Sequence, residues 1–222
     1  GYIAGQELPE LESDTISFVD VCNKIASSKS PNSNDPMFLN FRIKSNHIDI
    51  LEKMAESFVS SGIESKIYDK NVTENTKLSD LQNKYIIIID KTYVPTIEKI
   101  ACPTGCNTDL RFMINMYSGT DELSYLKLSH QLQQDVRPLQ KNTDDTTNTK
   151  KMKMIVHDVG MYHISENSKD WKKLIMEHKI QIIPYKFYYS DDALTEYKNF
   201  FSNNGHRAFV PMAVAHDALI HS

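Results

Sequence analysis

The chain has 222 residues, 40% of them hydrophobic and 24% charged, with a formal net charge of -4 and a pI near 6.1. That length allows one large α/β domain or two small ones, with a substantial core, and one is the expectation. The acidic balance offers no basic footprint for nucleic acid, and no stretch, the run YIIIID included, approaches the roughly 20 apolar residues that cross a bilayer.

In chain order, TISFVDVCNKIAS (15–27) sets Phe18, Val19, Cys22, Ile25 and Ala26 on one helical stripe. DPMFLNFRIKS (35–45) contains a strand at 37–44. Its period of two turns Leu39, Phe41 and Ile43 one way and Phe38, Asn40, Arg42 and Lys44 the other. A strand covered on both faces tolerates Arg and Lys only at its end, in water or opposite an anion, because an unpaired buried charge is costly. Ligands of α/β proteins bind at the carboxyl ends of strands, so Arg42 and Lys44 point to an anion such as phosphate; a solvated strand end is the plain alternative.

Residues 47–61 form a helix with Asn46 as N-cap, Ile48, Leu51, Met54, Ala55 and Phe58 as its stripe and Gly62 as its stop. Asn71-Val72-Thr73 matches a glycosylation acceptor pattern and marks an exposed loop. Tyr85–Asp90 is a fully buried strand by its β-branched run. Cys102 and Cys106, in CPTGC, suggest a turn, with no neighbouring His or Cys to complete a zinc set. With Cys22 they make three cysteines, sparse for a secreted scaffold, and GYIAGQELPELES lacks the regions of a secretory leader; a reducing intracellular compartment is the expectation.

RFMINMYSG (111–119) is a further strand, 120–136 a helix, and the polar KNTDDTTNTKK (141–151) a flexible insert. The last third runs MKMIVHD as strand, SKDWKKLIMEHK as helix, IQIIPYKFYY as a strand blemished by Pro184, and DDALTEYKNFFSNNG as a helix opened by Asp191-Asp192 and ended by Gly205. HRAFVPM is a final strand before a short helix. The alternation predicts a mostly parallel sheet in a single domain, 1–222, with six strands near 37, 85, 111, 152, 180 and 207.

The order of four segments resembles the X domain of phosphatidylinositol-specific phospholipase C: ISFVDVCNKI at 16–25, DPMFLNFRI at 35–43, LSDLQNKYIIIIDK at 78–91 and KIQIIPYKF at 179–187. The resemblance implies a (β/α)8 TIM barrel whose first two strands precede Gly1, since six strands with two more make eight. It also implies that the two histidines used as general acid and base lie upstream of Gly1.

In the calcium-dependent enzymes of that family an acidic residue helps hold the metal where Arg42 stands here, and a guanidinium cannot ligate calcium. The resemblance therefore implies no cofactor and no metal, with Arg42, Lys44 and Lys91 as phosphate-binding residues and Asn40, His157 and Lys153 lining the site. A companion lysine of the family is replaced by Ile89, and a stacking tyrosine by Val156, so part of the headgroup clamp is lost. Divergent members encoded by large DNA viruses extend the resemblance. The expectation is thus a binding or structural protein, with a phosphoinositide headgroup, another phosphodiester or other virion proteins as partners. The alternative is a metal-independent phosphoric diester hydrolase.

Overall fold

A computed structural model of the chain describes residues 2–3, 16–28, 34–43, 45, 47–92, 97–99, 108–128, 136–138, 152–157, 171–185, 187 and 190–220. The chain divides into two units, Gly1–Ser118 and Gly119–Ser222.

In the first unit a short antiparallel pair, β1 (Tyr2–Ile3) and β2 (Ile16–Ser17), leads into α1 (Phe18–Ser27). Three strands, β3 (Met37–Phe41), β4 (Tyr85–Asp90) and β5 (Met116–Ser118), then pair in parallel in that order, with Met37 opposite Tyr85 and Ile88 opposite Met116. Parallel neighbours need a crossover, and α2 (Ile48–Ser60) lies in the one between β3 and β4. Its first turn has no side-chain cap on His47 itself; the His47 N–H instead donates to the Ser45 hydroxyl at 3.2 Å, and Asn46, the expected cap, lies outside the described residues. Its end is the expected one, with Gly62 in the left-handed region at φ +78°.

The stripes read from the sequence build the core. Phe18 and Cys22 of α1 and Leu51, Met54, Ala55 and Phe58 of α2 pack with Tyr85, Ile87 and Ile89 of β4. Phe41 turns to the same side, its ring 5.7 Å from Phe18 and 5.5 Å from Phe58. Every residue of β4 is buried, Ile86 and Ile88 on the opposite face as completely as Ile87 and Ile89, so this strand is covered on both sides. Asn115, just before β5, fixes a loop to that strand. Its Oδ1 accepts from Ile87 N (2.8 Å), and its Nδ2 donates to the carbonyls of Tyr68 (2.6 Å) and Lys70 (2.9 Å).

In the second unit β6 (Leu123–Leu128) pairs antiparallel with β7 (Val136–Pro138) and parallel with β8 (Met152–His157). Helices α3 (Trp171–His178), α4 (Asp192–Asn203) and α5 (Met212–Ile220) follow. Ile155 of β8 and Trp171, Leu174 and Ile175 of α3 join Ile180 and Ile183 in a second core, with Tyr185, Tyr197 and Phe200 against it. Tyr185 and Tyr197 stack at 4.2 Å, and Trp171 meets Tyr197 edge-on at 5.5 Å. Asp191 caps α4 by accepting from Leu194 N at 2.8 Å, the role its position before the helix predicts.

The expected (β/α)8 barrel is corrected by this architecture. Among the described residues the strands form separate sheets of two, three and three strands, and none closes on itself. Four segments depart from their expected state for local reasons. The segment at 111 opens as a 3-10 turn, Leu110–Met113, because the Asp109 carboxylate accepts from Arg111 N at 2.9 Å and pairs with its guanidinium; only Met116–Ser118 remains extended. The region 120–136, expected helical, supplies β6 and part of an antiparallel ladder. Near 180 the pairing reduces to a bridge between Ile182 and Met154, next to Pro184, which has no N–H to give a ladder. The segment near 207 leads through Pro211 into α5 rather than forming a strand. Proline suits a helix entrance, where its missing N–H costs nothing. The expected insert at 141–151 and the CPTGC turn lie outside the described residues.

Candidate functional site at the carboxyl end of the first sheet

Parallel pairing puts the carboxyl ends of β3, β4 and β5 side by side, and each ends in polar residues: Asn40 and Arg42, Asp90 and Lys91, and Ser118. Phe41 pairs with Ile89, so Arg42 follows one strand as Asp90 ends its neighbour. The Asp90 side chain is fully buried, while the Arg42 side chain keeps 31% of its exposure. Arg42 Nε donates to Asp90 Oδ2 at 2.8 Å. The other carboxylate oxygen, Oδ1, accepts from Thr92 N at 2.8 Å and from the Thr92 hydroxyl at 2.6 Å. Three donors, one of them cationic, thus compensate a carboxylate withdrawn from water. The pair is a partly exposed guanidinium whose Nε is anchored on a buried carboxylate.

The alternation of β3 decides which residues join this pair. Leu39, Phe41 and Ile43 go to the helical core, and Asn40 and Arg42 to the other face. There the Ser118 hydroxyl donates to Asn40 Oδ1 at 2.9 Å, tying β5 to β3 across β4. Lys91 lies at the same sheet end but turns away. Its ammonium stands 4.1 Å over the ring of Tyr117, which packs on the helical core, while its N–H donates to the Ser118 carbonyl at 3.0 Å. The structure therefore brings Arg42 and Asn40 together on one face and directs Lys91 to the other.

Lys44 lies outside the described residues. Lys153 and His157 belong to the second unit. Lys153, in β8, donates its N–H to Gln181 Oε1 at 2.6 Å, and its carbonyl accepts from the N–H groups of Gln181 and Ile182. His157 ends β8 opposite Leu128. Among the described residues no group of three or more His, Cys, Asp or Glu is placed to hold a metal ion. Cys22 is a free thiol in the first core, pushed up to about 11 by burial.

Asp90, Thr92 and Ser118 were not singled out by sequence reasoning. The signal for Asp90 was present in one acid closing an otherwise apolar buried run, since such a group needs a partner near it. The contacts of Thr92 and Ser118 depend on strand register and left no mark in the sequence. No family model matches the chain, and neither a curated protein nor a solved structure matches it.

Proposed function

We propose that the chain is a binding protein for a phosphate-bearing ligand of the phosphoinositide-headgroup type, with Arg42 as its principal contact. The order of ISFVDVCNKI, DPMFLNFRI and LSDLQNKYIIIIDK supports descent from the phospholipase C X-domain family; the closed barrel is no part of the proposal. One observation carries the reading: Arg42 projects at the carboxyl end of a parallel strand, its base bonded to buried Asp90 and its side chain about a third exposed. A guanidinium offers a planar fork of donors that matches phosphate oxygens, and fixing it beforehand reduces the ordering cost of binding. A buried ion pair is weak evidence of a stability role, since apolar residues of similar volume often serve as well. That leaves recognition as the better account of a cation there.

The test measures binding to phosphatidylcholine vesicles with and without phosphatidylinositol, and to soluble glycerophosphoinositol. The expected result is binding that requires the phosphoinositol group, weakens about tenfold or more in Arg42→Ala and less in Lys91→Ala, and proceeds without turnover. Release of a cyclic inositol phosphate would replace this reading by the hydrolase. Binding indifferent to Arg42→Ala would remove the site.

A further inference from the structure

From the same sheet end we infer that Asp90 is a positioning residue, holding the Arg42 guanidinium in the orientation that an anionic ligand meets; the inference rests on the binding reading above. The two carboxylate oxygens have divided tasks. Oδ2 takes the Arg42 Nε–H at 2.8 Å, and Oδ1 takes the backbone N–H and hydroxyl of Thr92 at 2.8 and 2.6 Å. The Thr92 bonds close a tight loop directly after β4 and leave the carboxylate little freedom to turn. With Asp90 wholly buried, the orientation of Arg42 Nε is set by the backbone of β4 rather than by solvent.

This arrangement gives Asp90 two effects of opposite sign on an anion. Its charge opposes the ligand, whereas its grip on Arg42 assists it by removing rotamers the side chain would otherwise lose on binding. Asp90→Asn separates them. An amide has one acceptor oxygen; if that oxygen keeps the two Thr92 donors, the NH2 group faces the Arg42 Nε–H and the Nε bond to residue 90 is lost. Meanwhile a negative charge is lost, so a purely electrostatic role for Asp90 predicts tighter anion binding, and a positioning role predicts weaker binding.

Affinity for inorganic phosphate and for glycerophosphoinositol is to be measured by calorimetry on the full chain and on Asp90→Asn, Arg42→Gln and the double variant. Positioning requires that Asp90→Asn weaken both ligands by about tenfold in the presence of Arg42 and by nothing in the Arg42→Gln background. Equal weakening in both backgrounds would mean general damage to the sheet end, and unchanged or tighter binding would mean a charge effect alone; either overturns the inference while leaving the binding reading in place. Failure of the unaltered chain to bind either ligand would instead overturn the binding reading and this inference with it. Should Asp90→Asn not fold, Thr92→Val gives the same test from an exposed position. It removes the 2.6 Å bond to Oδ1, and it should weaken binding severalfold only when Arg42 is present.

Discussion

Asn115 joins three backbone segments of the first unit through one side chain. One side chain satisfies the Ile87 N–H in the middle of β4 and the carbonyls of Tyr68 and Lys70, while its own backbone exchanges bonds with Ile87 and Val72. Removing it takes the partner from one buried N–H and two part-buried carbonyls, and a buried group left unsatisfied costs about 1–3 kcal/mol. Asn115→Ala is therefore expected to lose roughly 3 kcal/mol, read as a fall in the urea midpoint. Asn115→Asp should be worse near neutral pH, because a carboxylate oxygen would then face the two carbonyls. A loss under about 1 kcal/mol for the alanine variant would mean that water replaces the side chain, and the staple would be unimportant.

Among elements, α2 was one of the most legible from sequence, β5 was read only in part, and β6 was read as helix. The stripe of α2 recurs every three to four residues over more than three turns, and Leu51, Met54, Ala55 and Phe58 are all buried where that spacing puts them. β3 was likewise legible, because alternation of large apolar and polar side chains has a single solution once one face is buried. β5 is three residues long, and what precedes it is governed by the Asp109–Arg111 contact, in which the neighbouring guanidinium holds the Asp109 carboxyl below its usual range. No periodicity announces a two-residue side-chain contact of that kind. The stretch 120–136 misled for a related reason. Leu123, Leu126 and Leu128 fit a helical stripe nearly as well as a strand, and the pairing of β6 with β8 is between distant segments.

The end of α2 gives the element-scale expectation. Gly62 has φ +78°, and a Cβ added there would meet nothing within 4 Å, so Gly62→Ala tests backbone strain without a clash. The expected cost is about 1–2 kcal/mol, with Gly62→Asn losing less because asparagine tolerates the left-handed region. Equal stability of all three proteins would mean that the helix ends another way.

At the scale of the whole molecule, each unit carries buried acids that are neutral at physiological pH, and this sets its alkaline limit. In the first unit burial raises Cys22 from 9.0 to about 11 and also raises Tyr85; in the second, burial raises Tyr197 from 10.0 to about 12 and Tyr185 further. The unfolded chain releases these protons at ordinary values while the folded chain retains them. Stability is thus whole below about pH 9 and falls as the pH rises, through 11 for Cys22 and through 12 for Tyr197. For Cys22, which is fully buried, the loss is on the order of 2 kcal/mol. Thermal melts between pH 8 and 12 should accordingly show a declining midpoint, accompanied by thiolate and tyrosinate absorbance on unfolding. Cys22→Ala should flatten the earlier part of that decline and Tyr197→Phe the later part. Wild-type slopes in both variants would mean that other groups set the alkaline limit, and that the two aromatic and aliphatic cores admit water more readily than their burial implies.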